Sequence, residues 1–325
     1  MKLHTDYALT KTVRESEKFL TPKNIILKIL IFLVVFCIGQ IAEGLPMIIA
    51  IIPKLMAWAT EQMQITGTLD EAVVRDKIAN LLADPSMTKI ILYCTAFATL
   101  VTLLFCRLIE GRKLNTLGFH KRHAILHYFA GLGVGFVLFS LVVLLSLCMG
   151  GITWTGLQSF SITSILVMLG GWLLQGMSEE VICRGYFMTT ILRNYSPVWA
   201  VAVNSVFFGL MHGFNNGFSL NAFINLTLYA IMISLYVLRT NSLLGACAIH
   251  SVWNFVQGNF YGLPVSGIDT GGTIFSVSLV KNANLANGGD FGLEASLPCA
   301  IVMLIAIAVL LLVPMKFLEN QEKQA

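Results

Sequence analysis

The stretch Gly176-Met177-Ser178-Glu179-Glu180-Val181-Ile182-Cys183-Arg184-Gly185 lies inside an otherwise apolar run that extends from Ile162 to Leu192. A run of that length spans a bilayer as a helix, which needs about 20 residues. Three ionisable groups within six residues are out of place there. Each charged side chain at mid-membrane costs roughly 2.5 to 3.5 kcal/mol on insertion scales. A chain that carries them is expected to use them, in a site buried within a membrane bundle.

The rest of the chain agrees with a membrane setting. Of 325 residues, 56% are hydrophobic and 12% charged, against about 25% charged in soluble domains. Eight segments are long enough, or nearly so, to cross: 25–52, 87–106, 124–149, 161–192, 197–213, 219–238, 243–261 and 296–315. The expected fold class is therefore all-α, a polytopic bundle of about eight transmembrane helices. Glu43, Gly44 and Pro46 are expected to kink the first segment or end it early. That segment is too long for a signal-peptide core and reads as a span. The organisation expected is a cytoplasmic segment 1–24, helices over 25–159 with an outer loop 54–86, a core of four helices over 160–261, an outer loop 262–295, and a last helix and tail over 296–325.

Lysine and arginine set the orientation. Residues Lys2, Lys11, Arg14, Lys18, Lys23, then Arg107, Arg112, Lys113, Lys121, Arg122, then Arg193, Arg239, Lys316 and Lys323 fall in alternate connections. The intervening connections hold only Lys54, Arg75 and Lys77, among five acids, and Lys281. The positive-inside rule then places both termini in the cytoplasm. In the outer loops, residues 69–82 are expected to form an amphipathic helix. Residues 262–295 form either a short strand or cap near 273–279, or a disordered loop. The seven cysteines lie mostly in apolar segments and form no CxxC pair, which argues against a disulfide framework and a cysteine zinc site. Cys183 reads as a small buried hydrophobe. No phosphate-binding or dinucleotide fingerprint is present, and no nucleic-acid partner is expected. The partners expected are the lipid bilayer and a membrane-associated peptide or protein.

Helical spacing sorts the polar groups. Glu180 and Arg184 are four apart, share a face and can pair. Glu179 lies about 100° away and is free to face a cavity. The turn between segments four and five falls near Asn194 to Pro197. Glu179 stands about 16 residues before its middle and His212 about 16 after it, so in a helical hairpin both lie about 24 Å from the turn and can meet. His250 and Asn254, also four apart, join that level only if their helix starts deeper or tilts. Phe208 reads as packing. Each group alone has a plain structural reading: an interfacial histidine, or a Glu–Arg clamp. Their conjunction on three neighbouring helices points to a site.

A carboxylate beside a neutral histidine can hold and deprotonate a water. A second histidine and an asparagine amide can donate to an oxyanion. This set supports peptide-bond hydrolysis. Glu179, His212 and His250 also suit a divalent metal such as zinc with an open position for water, although the HExxH pattern is absent. Two other classes fit intramembrane Glu, Arg and His: an ion-coupled transporter, against which no inverted repeat is visible, and a non-catalytic immunity or scaffold protein.

Glu179-Glu180-x-x-x-Arg184, Phe208-x-x-x-His212 and His250-x-x-x-Asn254, in this order on successive helices, resemble the three motifs of the CPBP family. These are the CAAX-protease and bacteriocin-processing (Abi) intramembrane proteases. The resemblance covers about residues 160–260. It implies a bundle of about eight helices and an endopeptidase in which Glu179 and His212 activate the water. It further implies that His250 and Asn254 stabilise the oxyanion while Glu180 and Arg184 support the site. Whether the hydrolysis is metal- or glutamate-dependent is open in the resemblance. A bacterial cell membrane is the expected location, and a prenylated substrate does not carry over with the motifs.

Overall fold

A computed structural model describes residues 7–82 and 84–313. Lys2, Lys316, Lys323 and most of the tail used to orient the chain lie outside the described residues. Helix α1, Ala8–Glu15, precedes α2, Ile25–Thr66. Asn24 starts α2 by accepting from the N–H groups of Ile26 and Leu27 at 2.8 and 3.2 Å, which satisfies two of the donors that a helix start leaves open.

Helix α2 corrects an expectation. It neither ends near Pro46 nor gives way to a loop at residue 54, but continues through Pro46 and Pro53 for 42 residues, to Gly67 at φ 71°. A proline removes one backbone donor and crowds one carbonyl, and the long apolar stretches around both prolines keep the helix going. Helix α3, Glu71–Leu82, is the helix expected over 69–82. Helices α4, Pro85–Leu104, and α5, Ala124–Cys148, follow, joined through a π-helical turn at Phe105–Ile109. Strand β1, Ile152–Leu157, leads to α6, Ile162–Glu180. This helix loosens into a π-helical segment, Val181–Met188, and ends as α7, Thr189–Leu192. Next come α8, Pro197–Met211, α9, Leu220–Thr240, and α10, Leu243–Phe255, the last running into a π-helical turn at Val256–Phe260. Strand β2, Phe275–Leu279, the short α11, Asn284–Asn287, and α12, Leu297–Leu312, complete the described chain.

Serines cap several of these helices. Ser161, Ser196, Ser219, Ser242 and Ser296 each accept a backbone N–H at the starts of α6, α8, α9, α10 and α12. Such caps matter most where water is scarce.

Helix α10 packs between α5 and α6; α4 backs α6, and α2 backs α4. On the other side α8 pairs with α9, and α9 with α12. The packing is close because small residues line the contacts. A Cβ at Gly135 of α5 would lie 2.5 Å from the Ile249 carbonyl oxygen, and one at Gly176 of α6 would lie 2.6 Å from Ser251 N. Small residues at helix crossings are how membrane helices approach. Five helices, over 25–66, 86–109, 124–148, 162–192 and 220–240, are long and apolar enough to cross a membrane, and α8 and α12 are shorter apolar helices. Large apolar side chains such as Ile125, Phe129, Leu144 and Ile305 face outward. The molecule is a helical membrane bundle.

The 262–295 connection is an ordered cap. Strand β2 pairs antiparallel with β1, Ile152 opposite Leu279 and Leu157 opposite Phe275, with a bulge between Trp154 and Gly156. Asn287 Nδ2 donates to the carbonyls of Gly151 and Val280, both at 2.8 Å, and Ser146 Oγ donates to Ala286 O at 2.8 Å. Of the two alternatives for this segment, the strand and cap is the one found.

Candidate active site

Glu179 and Glu180 are the penultimate and last residues of α6, and the two carboxylates point to different surroundings, as their helical angle requires. Glu180 is fully buried and its Oε1 accepts from Arg184 Nη1 at 2.9 Å. The expected pair is therefore formed. The same oxygen lies 2.8 Å from His250 Nδ1. A carboxylate only accepts, so His250 carries its proton on Nδ1 and presents Nε2 toward Glu179. Arg184 rests on the Phe208 ring, 4.4 Å from its centroid, in cation–π range.

His212 caps the end of α8. Its Nδ1 is 2.8 Å from the Phe208 carbonyl oxygen, which also only accepts, so in the neutral imidazole Nε2 is bare. Phe208 thus does more than pack: its ring backs Arg184 and its carbonyl sets the His212 tautomer. Glu179 Oε2 lies 3.9 Å from His212 Nε2 and 3.7 Å from His250 Nε2, and is buried without a hydrogen-bond partner. The hairpin geometry that levels Glu179 with His212 is therefore realised. His250 reaches the same level, and α10 is anchored at its start by Leu243, which is fully buried, donates its N–H to Gly118 O at 3.0 Å and approaches Gly185.

Asn254 is on the same face of α10, but one amide hydrogen is already engaged. Its Nδ2 donates to Gln175 Oε1 at 2.8 Å, and Gln175 Nε2 donates to Glu179 Oε1 at 2.5 Å. Gln175 was not singled out from the sequence, although its position four residues before Glu179 puts it on the same helical face. Cys183 is buried, as expected.

These groups open on a cavity of about 290 Å³. Its wall includes Glu179, His212, His250 and Asn254, joined by Glu43 of α2 and Tyr229 of α9. Val265, Ser266, Ile268 and Glu294 of the cap close it on one side. No sequence signal marks Tyr229 or Glu294 as part of a site, and in the sequence Glu43 stands out only for its effect on its own helix. The lining holds three carboxylates and, among the described residues, no lysine or arginine, so negative charge that develops there must be met by uncharged donors or imidazole.

The fit to a metal can be judged on this donor set. Ligands about 2.1 Å from a tetrahedral ion lie about 3.4 Å apart, closer than the 3.7 and 3.9 Å found here. Among the described residues no three His, Cys, Asp or Glu side chains are arranged to hold a metal ion. Glu179, His212 and His250 have the donor types of a His₂Glu zinc set, with Glu179 standing somewhat farther from each imidazole than ligands of one bound ion would.

Residues 160–256 match the family model of Rce1-like, type II CAAX prenyl endopeptidases. No curated protein and no solved structure matches the chain. The matched segment holds every residue that converges on Glu179 Oε2, and it lies in a helical membrane bundle. That match, over residues 160–256, is consistent with the CPBP/CAAX family of membrane proteases.

Proposed function

We propose that the chain is an intramembrane endopeptidase that hydrolyses a peptide bond of a membrane-associated or lipidated peptide or protein, with a water activated by Glu179 and His212. The observation that carries this reading is the convergence of His212 Nε2 and His250 Nε2 on the unpartnered Glu179 Oε2, at 3.9 and 3.7 Å. Separations of that size suit one water between the groups better than a direct bond. The water donates one hydrogen to His212 Nε2 and loses the other to Glu179 as its oxygen attacks the carbonyl carbon. The carbonyl electron pair moves to the oxygen, and the free amide hydrogen of Asn254, with His250 in its imidazolium form, faces that oxyanion. When the tetrahedral intermediate collapses, the proton held by Glu179 passes to the leaving amine. Gln175 keeps Glu179 oriented throughout. No step is routed through a metal.

The test is Glu179→Gln in the full chain, reconstituted in vesicles with a membrane-tethered reporter peptide. Loss of cleavage by more than about 10³-fold at unchanged thermal stability is expected, in line with removal of a reacting group. Cleavage that survives in this variant sinks the assignment. A chelator arm addresses the metal: rates that hold after exhaustive chelation agree with the water mechanism above. Rates lost on chelation and restored by zinc would replace it with a metal-dependent one.

A further inference from the structure

Hydrolysis through a tetrahedral intermediate needs donors aimed at the oxyanion. The two donors on the α10 face are limited. His250 keeps its neutral-state proton on Nδ1, against Glu180 at 2.8 Å, and donates from Nε2 only as the imidazolium. Asn254 has one amide hydrogen committed to Gln175 at 2.8 Å. No lysine or arginine lines the cavity among the described residues. Arg184, the nearest guanidinium, is fully buried over Phe208 and is not part of the wall.

Tyr229 carries a further neutral donor. It stands on the cavity-facing side of α9 with Leu226. Its ring centroid lies 5.4 Å from that of His250 and 6.1 Å from that of Phe208. The residue is 5% exposed, and its hydroxyl is buried with no hydrogen-bond partner. Buried tyrosine hydroxyls usually find one, and an unmade bond there carries a desolvation penalty. Glu179 Oε2 on the same cavity is likewise buried and unpartnered. One of these atoms accepts and the other donates, which is the pair that a water nucleophile and an oxyanion require.

We propose that Tyr229 is a catalytic residue whose hydroxyl donates a hydrogen bond to the oxyanion of the tetrahedral intermediate. The proposal rests on the endopeptidase reading above. Tyrosine transfers no proton: the carbonyl π pair moves to oxygen as the water oxygen bonds to carbon, the O–H of Tyr229 points at that oxygen, and the bond relaxes when the amine leaves. The donor is neutral, so it works whether or not His250 is protonated.

The test is Tyr229→Phe beside Glu179→Gln, both in the full chain in vesicles, read by kcat, KM and thermal midpoint. Tyr229→Phe removes only the unpartnered oxygen. The expected result is a fall in kcat of about 10²-fold, the scale for one lost oxyanion donor, with KM within about twofold and the midpoint unchanged or raised. A wild-type kcat in Tyr229→Phe, with Glu179→Gln inactive, overturns the proposal and leaves the endopeptidase reading standing. A fall in kcat that comes with a lowered midpoint also overturns it, because that is the mark of a packing role. If Glu179→Gln retains cleavage, the underlying reading fails first and the proposal falls with it.

Discussion

At the scale of the residue, two adjacent glutamates divide the work. Glu180 is sealed from solvent and shares one oxygen between Arg184 and His250, whereas the Glu179 side chain is 27% exposed and faces the cavity. Replacing each by glutamine should therefore have opposite signatures. Glu180→Gln leaves the Arg184 guanidinium as an uncompensated buried charge, which costs about 3 to 5 kcal/mol, and unfolding in detergent should shift to markedly lower temperature. Glu179→Gln should leave that midpoint in place while cleavage is lost. Equal midpoints for the two variants would mean that the Arg184 pair does not hold the helix. The sequence made this division legible, because one residue along a helix is about 100° of rotation. The Glu180–His250 bond was not legible, since it joins side chains 70 positions apart on helices whose relative depth spacing alone leaves open. Gln175 was within reach by its four-residue spacing to Glu179, and Tyr229 carries no such signal.

At the scale of the element, the site depends on how closely α6 and α10 approach. Gly176 marks that contact. A Cβ there would stand 2.6 Å from both the N and Oγ of Ser251, the residue after His250. Backbone cannot yield as the end of a flexible side chain can, so Gly176→Ala is expected to push α10 away and carry His250 and Asn254 with it. A loss of about 1 to 3 kcal/mol of stability, the usual range for overpacking, should accompany a fall in activity of at least tenfold. Wild-type activity in this variant would show that the α6–α10 distance does not set the site. Helix starts were legible through their serine caps and apolar runs. The π-helical segments at Val181–Met188 and Val256–Phe260 were not. They begin directly after the Glu179-Glu180 pair and two residues after Asn254, such irregularities are common at functional sites, and no pattern in the local sequence marks them. The length of α2 was missed for a related reason: proline reads as a stop, but one lost donor does not end a helix embedded in apolar surroundings.

At the scale of the whole molecule, a bundle carries the polar groups of the cavity and a cap forms part of its wall. The cap was half legible: residues 273–279 alternate enough to suggest a strand, but the partner β1 lies more than 100 positions earlier, beyond any local pattern. Glu294 ties the two bodies together. Its Oε1 accepts from Trp253 Nε1 of α10 at 3.1 Å, and its Oε2 accepts from Ser266 N and Oγ at 2.7 and 2.8 Å. Asn225 of α9 adds to the tether by donating to the carbonyls of Glu294 and Ser296 at 2.8 and 2.7 Å. Glu294→Gln keeps the shape and one acceptor, which can still serve Trp253. It then sets an amide NH2, a donor, against the Ser266 N–H. Two buried donors facing each other cost about 1 to 3 kcal/mol, and the loss falls on the Ser266–Glu294 link through which the first turn of the cap is held to Trp253 of α10. Opening of the cap should become about 5- to 150-fold more frequent while the helices keep their stability. Hydrogen–deuterium exchange can read this directly: uptake over 262–292 should rise, with α6 and α10 unchanged. Substrate cleavage should show a raised KM, because the cap forms part of the cavity wall through Val265, Ser266 and Ile268. Unchanged uptake in the cap would mean that β1–β2 pairing, rather than Glu294, holds it closed.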